Sequence, residues 1–156
     1  MNWDAIGAVG EIVGAGAVVV SLLYLAAQVR AQNRESRLAA MHDITVGYRD
    51  CLTTFTERDI TDIVVKANAD FASLTDSEAM RLISATQRVL RVGEEAYIQY
   101  EEGRLDERMW APIARQYASY FSIPAFSHVW ELRRANYDEG FAKYMDTLKP
   151  TEITYR

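Results

Sequence analysis

The sequence predicts an all-α protein: a single N-terminal transmembrane helix, continuous with a long cytoplasmic helix, then a small cytoplasmic helical bundle. Three observations predict it. The 18-residue run IVGAGAVVVSLLYLAAQV, between Glu11 and Arg30, carries no charge. Beyond it, apolar residues recur every three or four positions, the helical period. No stretch holds the period-two alternation of a strand for long, EITY near the end being the one weak candidate.

At the helical rise the uncharged run is about 27 Å long, close to the hydrocarbon thickness of a bilayer. The first eleven residues carry Asp4 and Glu11 and no basic side chain, so a cleaved signal peptide is not expected. Arg30, Arg34 and Arg37 follow the run. Their charge places the C-terminal part in the cytoplasm, the N-terminus outside, and the three arginines against anionic headgroups. Trp3 and Tyr24 are expected at the two membrane interfaces, where amphipathic rings are favoured.

Small residues within the run are ordered. Gly7, Gly10, Gly14, Ala17 and Ser21 recur at spacings of three and four and form one stripe. Gly10 and Gly14 have the close-approach spacing of paired membrane helices, which predicts self-association, although small residues are common in such helices anyway. Val18, Val19, Leu22, Leu23 and Leu25 face lipid or larger neighbours. Glu11, at the outer edge of the run, reaches headgroup water or, in an oligomer, lines an interface or pore mouth.

After Arg30 the helical pattern continues. Leu38, Met41, Thr45, Tyr48, Leu52 and Phe55 predict an extension of the first helix to about Phe55. That makes a rod of about 75 Å over some fifty residues. Ile60, Ile63, Val64, Ala67 and Phe71 mark a shorter helix. Thr75 followed by Glu78 fits a capping box, with Asp76 and Ser77 as alternative caps. The stripe Leu82, Ile83, Thr86, Val89, Leu90, Gly93, Tyr97 and Tyr100 then leads to a stop at Gly103. Asp106 caps a helix carrying Met109, Trp110, Ile113, Tyr117 and Phe121. Pro124 breaks the chain, with Ser122 as a possible cap, before Phe126, Val129 and Trp130. A last helix runs from Asp138 to about Leu148. The expected organisation is an anchor over 1–30, a helical domain of four or five helices over 31–149, and a tail over 150–156.

Composition narrows the function. Seventeen basic against 22 acidic residues give a net charge of -5, which argues against nucleic acid as a partner. Cys51 is the single cysteine, so no disulfide forms within the chain; its place between Tyr48 and Phe55 predicts a packed thiol. His42 and His128 belong to different helices, and no Glu-x-x-His motif occurs, so neither a metal nor another cofactor is expected. Glu94, Glu95, Glu101 and Glu102 read as a solvated helix face. Arg88, Arg91, Arg133 and Arg134 read as solubilising side chains with local acidic partners. No G-x-S-x-G elbow or phosphate-binding loop is present.

The opening, NWDAIGAVGEIVGAGAVVVSLLYLAAQVRAQN, resembles the signature of a family of small uncharacterised bacterial inner-membrane proteins. Trp3, Glu11, Tyr24, Gln28, Arg30, Gln32 and Asn33 carry the resemblance, which covers about a fifth of the chain. It implies a bacterial inner-membrane location and no mechanism. The function expected is a homo-oligomeric, membrane-anchored scaffold or modulator of a membrane complex, with the bilayer, further copies and a membrane-protein partner as its contacts. A small channel with Glu11 at its outer mouth is the alternative. An enzyme site around His128, Tyr117 and Glu131 is a second one.

Overall fold

The computed structural model describes the backbone of residues 3–151 and side chains from Gly7 onward. Within them the chain is all-helical. Helix α1 spans Trp3–Thr56, α2 Arg58–Ala69, α3 Asp76–Glu101, α4 Glu107–Tyr120, α5 Pro124–Arg133 and α6 Glu139–Thr147. Short 3-10 turns lie at Phe71–Ser73 and Arg134–Asn136. The EITY segment lies outside the described residues. Contacts divide the chain into two units, residues 1–39 and 40–156.

Each boundary has a local cause. α1 ends among β-branched threonines, and hydroxyls take up two of its last carbonyls: Thr56 donates to Thr53 at 2.7 Å and Thr61 to Phe55 at 3.0 Å. Thr75 caps α3, accepting from the Glu78 amide while the Glu78 carboxylate accepts from the Thr75 amide at 2.7 Å. α3 is followed by Gly103 at φ 72°, a left-handed conformation that glycine adopts without steric cost. Asp106 accepts from the Met109 amide and Asp138 from the Phe141 amide, so α4 and α6 begin on aspartate caps.

Two expectations are corrected. Ser122 does not cap α5; its hydroxyl donates to the Ser119 carbonyl. Ile123 is the cap residue, and the orphan Ala125 amide is satisfied instead by the Asn68 side chain of α2 at 2.9 Å. On α1 the buried positions are Ala40, Ile44 and Cys51, whereas Leu38 and Leu52 remain 56% and 41% exposed. The inward face is therefore shifted by about one residue from the predicted stripe, of which Met41, Tyr48 and Phe55 still pack against the core. Val92 of α3 packs over Gly47 there.

The core of the second unit has three parts. Cys51, Val89, Leu90, Tyr117, Trp130 and Phe141 centre the first. Ala40, Ile44, Ala96, Leu105, Trp110 and Ala114 form the second. Ile60, Ile63, Leu82, Ala125 and Val129 form the third, between α2, α3 and α5. α3 contributes to all three and is the central element of this unit.

Candidate functional site

α1 is the one helix among the described residues long and apolar enough to cross a membrane, and none of its most apolar stretch is buried by the chain. Residues 7–39 are exposed throughout. Ile12, Val20 and Leu23 each keep about two thirds or more of their surface open. On the small-residue stripe, a Cβ added at Gly7, Gly10 or Gly14 would meet nothing within 4 Å. Ser21 donates to the Ala17 carbonyl at 2.9 Å, so its hydroxyl is satisfied within the helix. Glu11 is exposed.

At the other end of the run, Gln28 donates its side-chain amide to the Tyr24 hydroxyl at 2.8 Å, four residues back. Two polar groups near the boundary thus satisfy each other on one helical face. Arg30, Arg34 and Arg37 are exposed and belong to none of the ion pairs among the described residues. The Trp3 side chain lies outside the described residues.

The chemistry-bearing side chains of the second unit are mostly engaged in packing. Cys51 is buried, and burial pushes its thiol pKa up. His128 is exposed, its ring centroid 4.0 Å from that of Phe71. Tyr117 donates to the Val89 carbonyl at 2.6 Å, and Glu131 is exposed. No hydrogen bond or ion pair links His128, Tyr117 and Glu131. No group of three or more histidine, cysteine, aspartate or glutamate side chains is placed to hold a metal among the described residues.

One glutamate departs from the expected solvated face. Glu94 is 12% exposed, pairs with Arg91 at 2.5 Å and accepts the Asp138 amide at 2.6 Å. It ties the start of α6 to α3, while Arg91 lies 4.5 Å from the centroid of the Tyr137 ring. Arg134 similarly pairs with Asp146, which also accepts from the Trp130 indole. Arg88 donates to the Thr54 hydroxyl of α1 at 2.8 Å.

Sequence reasoning missed the closest packing in this unit. The Tyr117 ring lies against the α3 backbone, and a Cβ at Gly93 would stand 2.4 Å from its Cζ. Glycine there opens a slot through which the phenol reaches the carbonyl one turn below. A lone glycine inside an apolar helical stripe was the available signal. Beside it, the Tyr120 hydroxyl bonds that of Tyr48. Burial raises the pKa of Tyr117, Tyr120 and Tyr48 above the ordinary tyrosine range. An apolar cavity of about 280 Å³ opens next to this pair.

Fold and surface together define an all-helical protein with one helix near its N-terminus suited in length and composition to crossing a membrane. No family model, curated protein or solved structure matches the chain.

Proposed function

We propose that this protein is a membrane-anchored, homo-oligomeric helical scaffold or modulator of a membrane complex. Its first helix crosses the bacterial inner membrane with the N-terminus outside, and residues 31–149 lie in the cytoplasm. The observation that carries the reading is the full exposure of the apolar stretch of α1. An uncovered hydrocarbon surface of this length is unfavourable in water and is stabilised by lipid. The unpaired arginines after the run favour the inward orientation, and the resemblance of the opening sequence agrees with the location.

Self-association rests on the stripe from Gly7 to Ser21, whose glycines leave open space beside the backbone. Close approach of two such helices gains dispersion contacts and releases lipid. The experiment is native mass spectrometry of the full chain in lipid discs, after carbonate-washed membranes have been assayed for retention. A defined multiple of 17.7 kDa is expected, reduced by Gly10→Leu with Gly14→Leu. A single chain, or one copy bound to a different protein, rejects the homo-oligomer. Release into the carbonate wash rejects the anchor.

A further inference from the structure

We propose that the cavity between the end of α1 and helices α2, α3 and α5 is a binding site for an uncharged, flat, apolar small molecule of about ten to twelve non-hydrogen atoms. The cavity is lined entirely by residues between Leu52 and Phe126, so the proposal stands independently of membrane anchoring.

Size comes first. The cavity measures about 280 Å³. A hydrocarbon-lined protein cavity of about 150 Å³ stays dry and takes benzene, so this one suits a molecule about twice as large. Val89 and Leu82 of α3 and Ala125 of α5, each at 1% exposure, form a closely packed floor at its inner end. Leu52 and Thr61, both exposed, stand at its mouth. The site is therefore an apolar pocket open to the surface over a packed floor.

The lining decides the chemistry. No charged side chain contributes to it. The Thr61 hydroxyl is already directed at the Phe55 and Glu57 carbonyls, at 3.0 and 3.1 Å. The Tyr120 hydroxyl bonds that of Tyr48, and the third lining hydroxyl belongs to Thr86, buried at 1% exposure. With no charged side chain in the lining, an ionised ligand would lose its hydration without an opposite charge to compensate, which selects for neutral molecules. Tyr120 and Phe126 stack with centroids 5.1 Å apart and, with Phe55, present ring surfaces suited to a flat occupant. The hollow beside Trp130 differs in kind, because Glu131, Arg134 and Asp146 make its wall polar.

Indole, a neutral bicyclic molecule of nearly the required size, is the probe. Full-length protein with labelled methyl groups, held in lipid discs, is titrated and followed by NMR. Saturable shifts are expected at Leu82, Val89 and Val64. Ala125→Leu, which fills the inner end, and Leu52→Trp, which obstructs the mouth at an exposed position, are each expected to weaken binding about tenfold or more. The second variant keeps the test decisive if the first does not fold. Indole-3-carboxylate is expected not to bind. Shifts that never saturate, or that fall only on residues 12–29, overturn the site in favour of partition into lipid. Equal binding of the carboxylate overturns the uncharged chemistry. Methyl contacts from a second, differently labelled copy within the pocket assign it to another chain instead.

Discussion

At Gly93 the absence of a side chain fixes the position of the residue opposite. The Tyr117 phenol occupies the space a Cβ would need, and its hydroxyl donates to the Val89 carbonyl at 2.6 Å. Alanine would ordinarily favour the helix by up to about 1 kcal/mol over glycine. Here the added carbon forces a fully buried ring out of its slot, and overpacking of this kind costs about 1–3 kcal/mol. Gly93→Ala is therefore expected to destabilise the helical unit by up to about 2 kcal/mol after the propensity gain is subtracted. Urea unfolding followed by fluorescence of the buried Trp110 and Trp130 measures it. A midpoint raised by the helix-propensity gain contradicts the close approach.

The elements differ in how openly their sequence declares them. Thr75 with Glu78 announces α3 because both halves of the capping box lie within one turn. Glu78 is held at a pKa of about 2, chiefly by the Lys66 hydrogen bond and then by the Thr75 amide and hydroxyl. The folded state thus binds fewer protons at this site than the unfolded chain. The associated stability is present above the unfolded carboxylate range and is lost as pH falls through it toward 2. Thr75→Ala removes the hydroxyl cap, at a cost of about 1 kcal/mol, read as a lower urea midpoint at neutral pH. No loss would show that the Lys66–Glu78 pair and the residue-75 amide hold this end without the hydroxyl.

Pro124 marked the start of α5, but its cap was illegible for the opposite reason. Its amide partner, Asn68, is 57 positions from Ala125, and local pattern carries no information about such a meeting. The inward face of α1 was read in part: Met41, Tyr48, Cys51 and Phe55 pack as expected, but periodicity weighs large apolar residues and passed over Ala40 and Gly47. Glu94 was read as solvated because the Asp138 amide that it accepts from is 44 positions away, although Arg91 is a local partner three residues back. The apolar run and the small-residue stripe were plain, since both are properties of one continuous segment.

Across the whole molecule, several tyrosines share one electrostatic condition. Tyr48, Tyr117, Tyr120 and Tyr137 all have raised pKa values, with burial as the leading cause in each. Above about pH 10 the unfolded chain releases phenolic protons that the folded chain retains. Unfolding then releases protons, so stability falls as pH rises beyond that point and is fully present below it. Unfolding midpoints are expected to hold from about pH 8 and to fall above about pH 10, with phenolate absorbance rising as the chain unfolds. Tyr117→Phe with Tyr120→Phe is expected to flatten the dependence. A stability independent of pH over that range contradicts the burial of these hydroxyls.

The buried thiol on α1 also gives this molecule an internal clock. Cys51 is 4% exposed and has no competitor, since it is the single cysteine of the chain. A thiol reagent reaches it only during excursions that lift this part of α1 from its neighbours. With the closed state reforming faster than the reagent reacts, the modification rate divided by that of a free thiol equals the fraction of time spent open. That ratio is expected to be small, and to rise in Arg88→Ala, which removes the guanidinium from the Thr54 hydroxyl one turn away. Equal rates in the two proteins would show that Arg88 contributes nothing to closure.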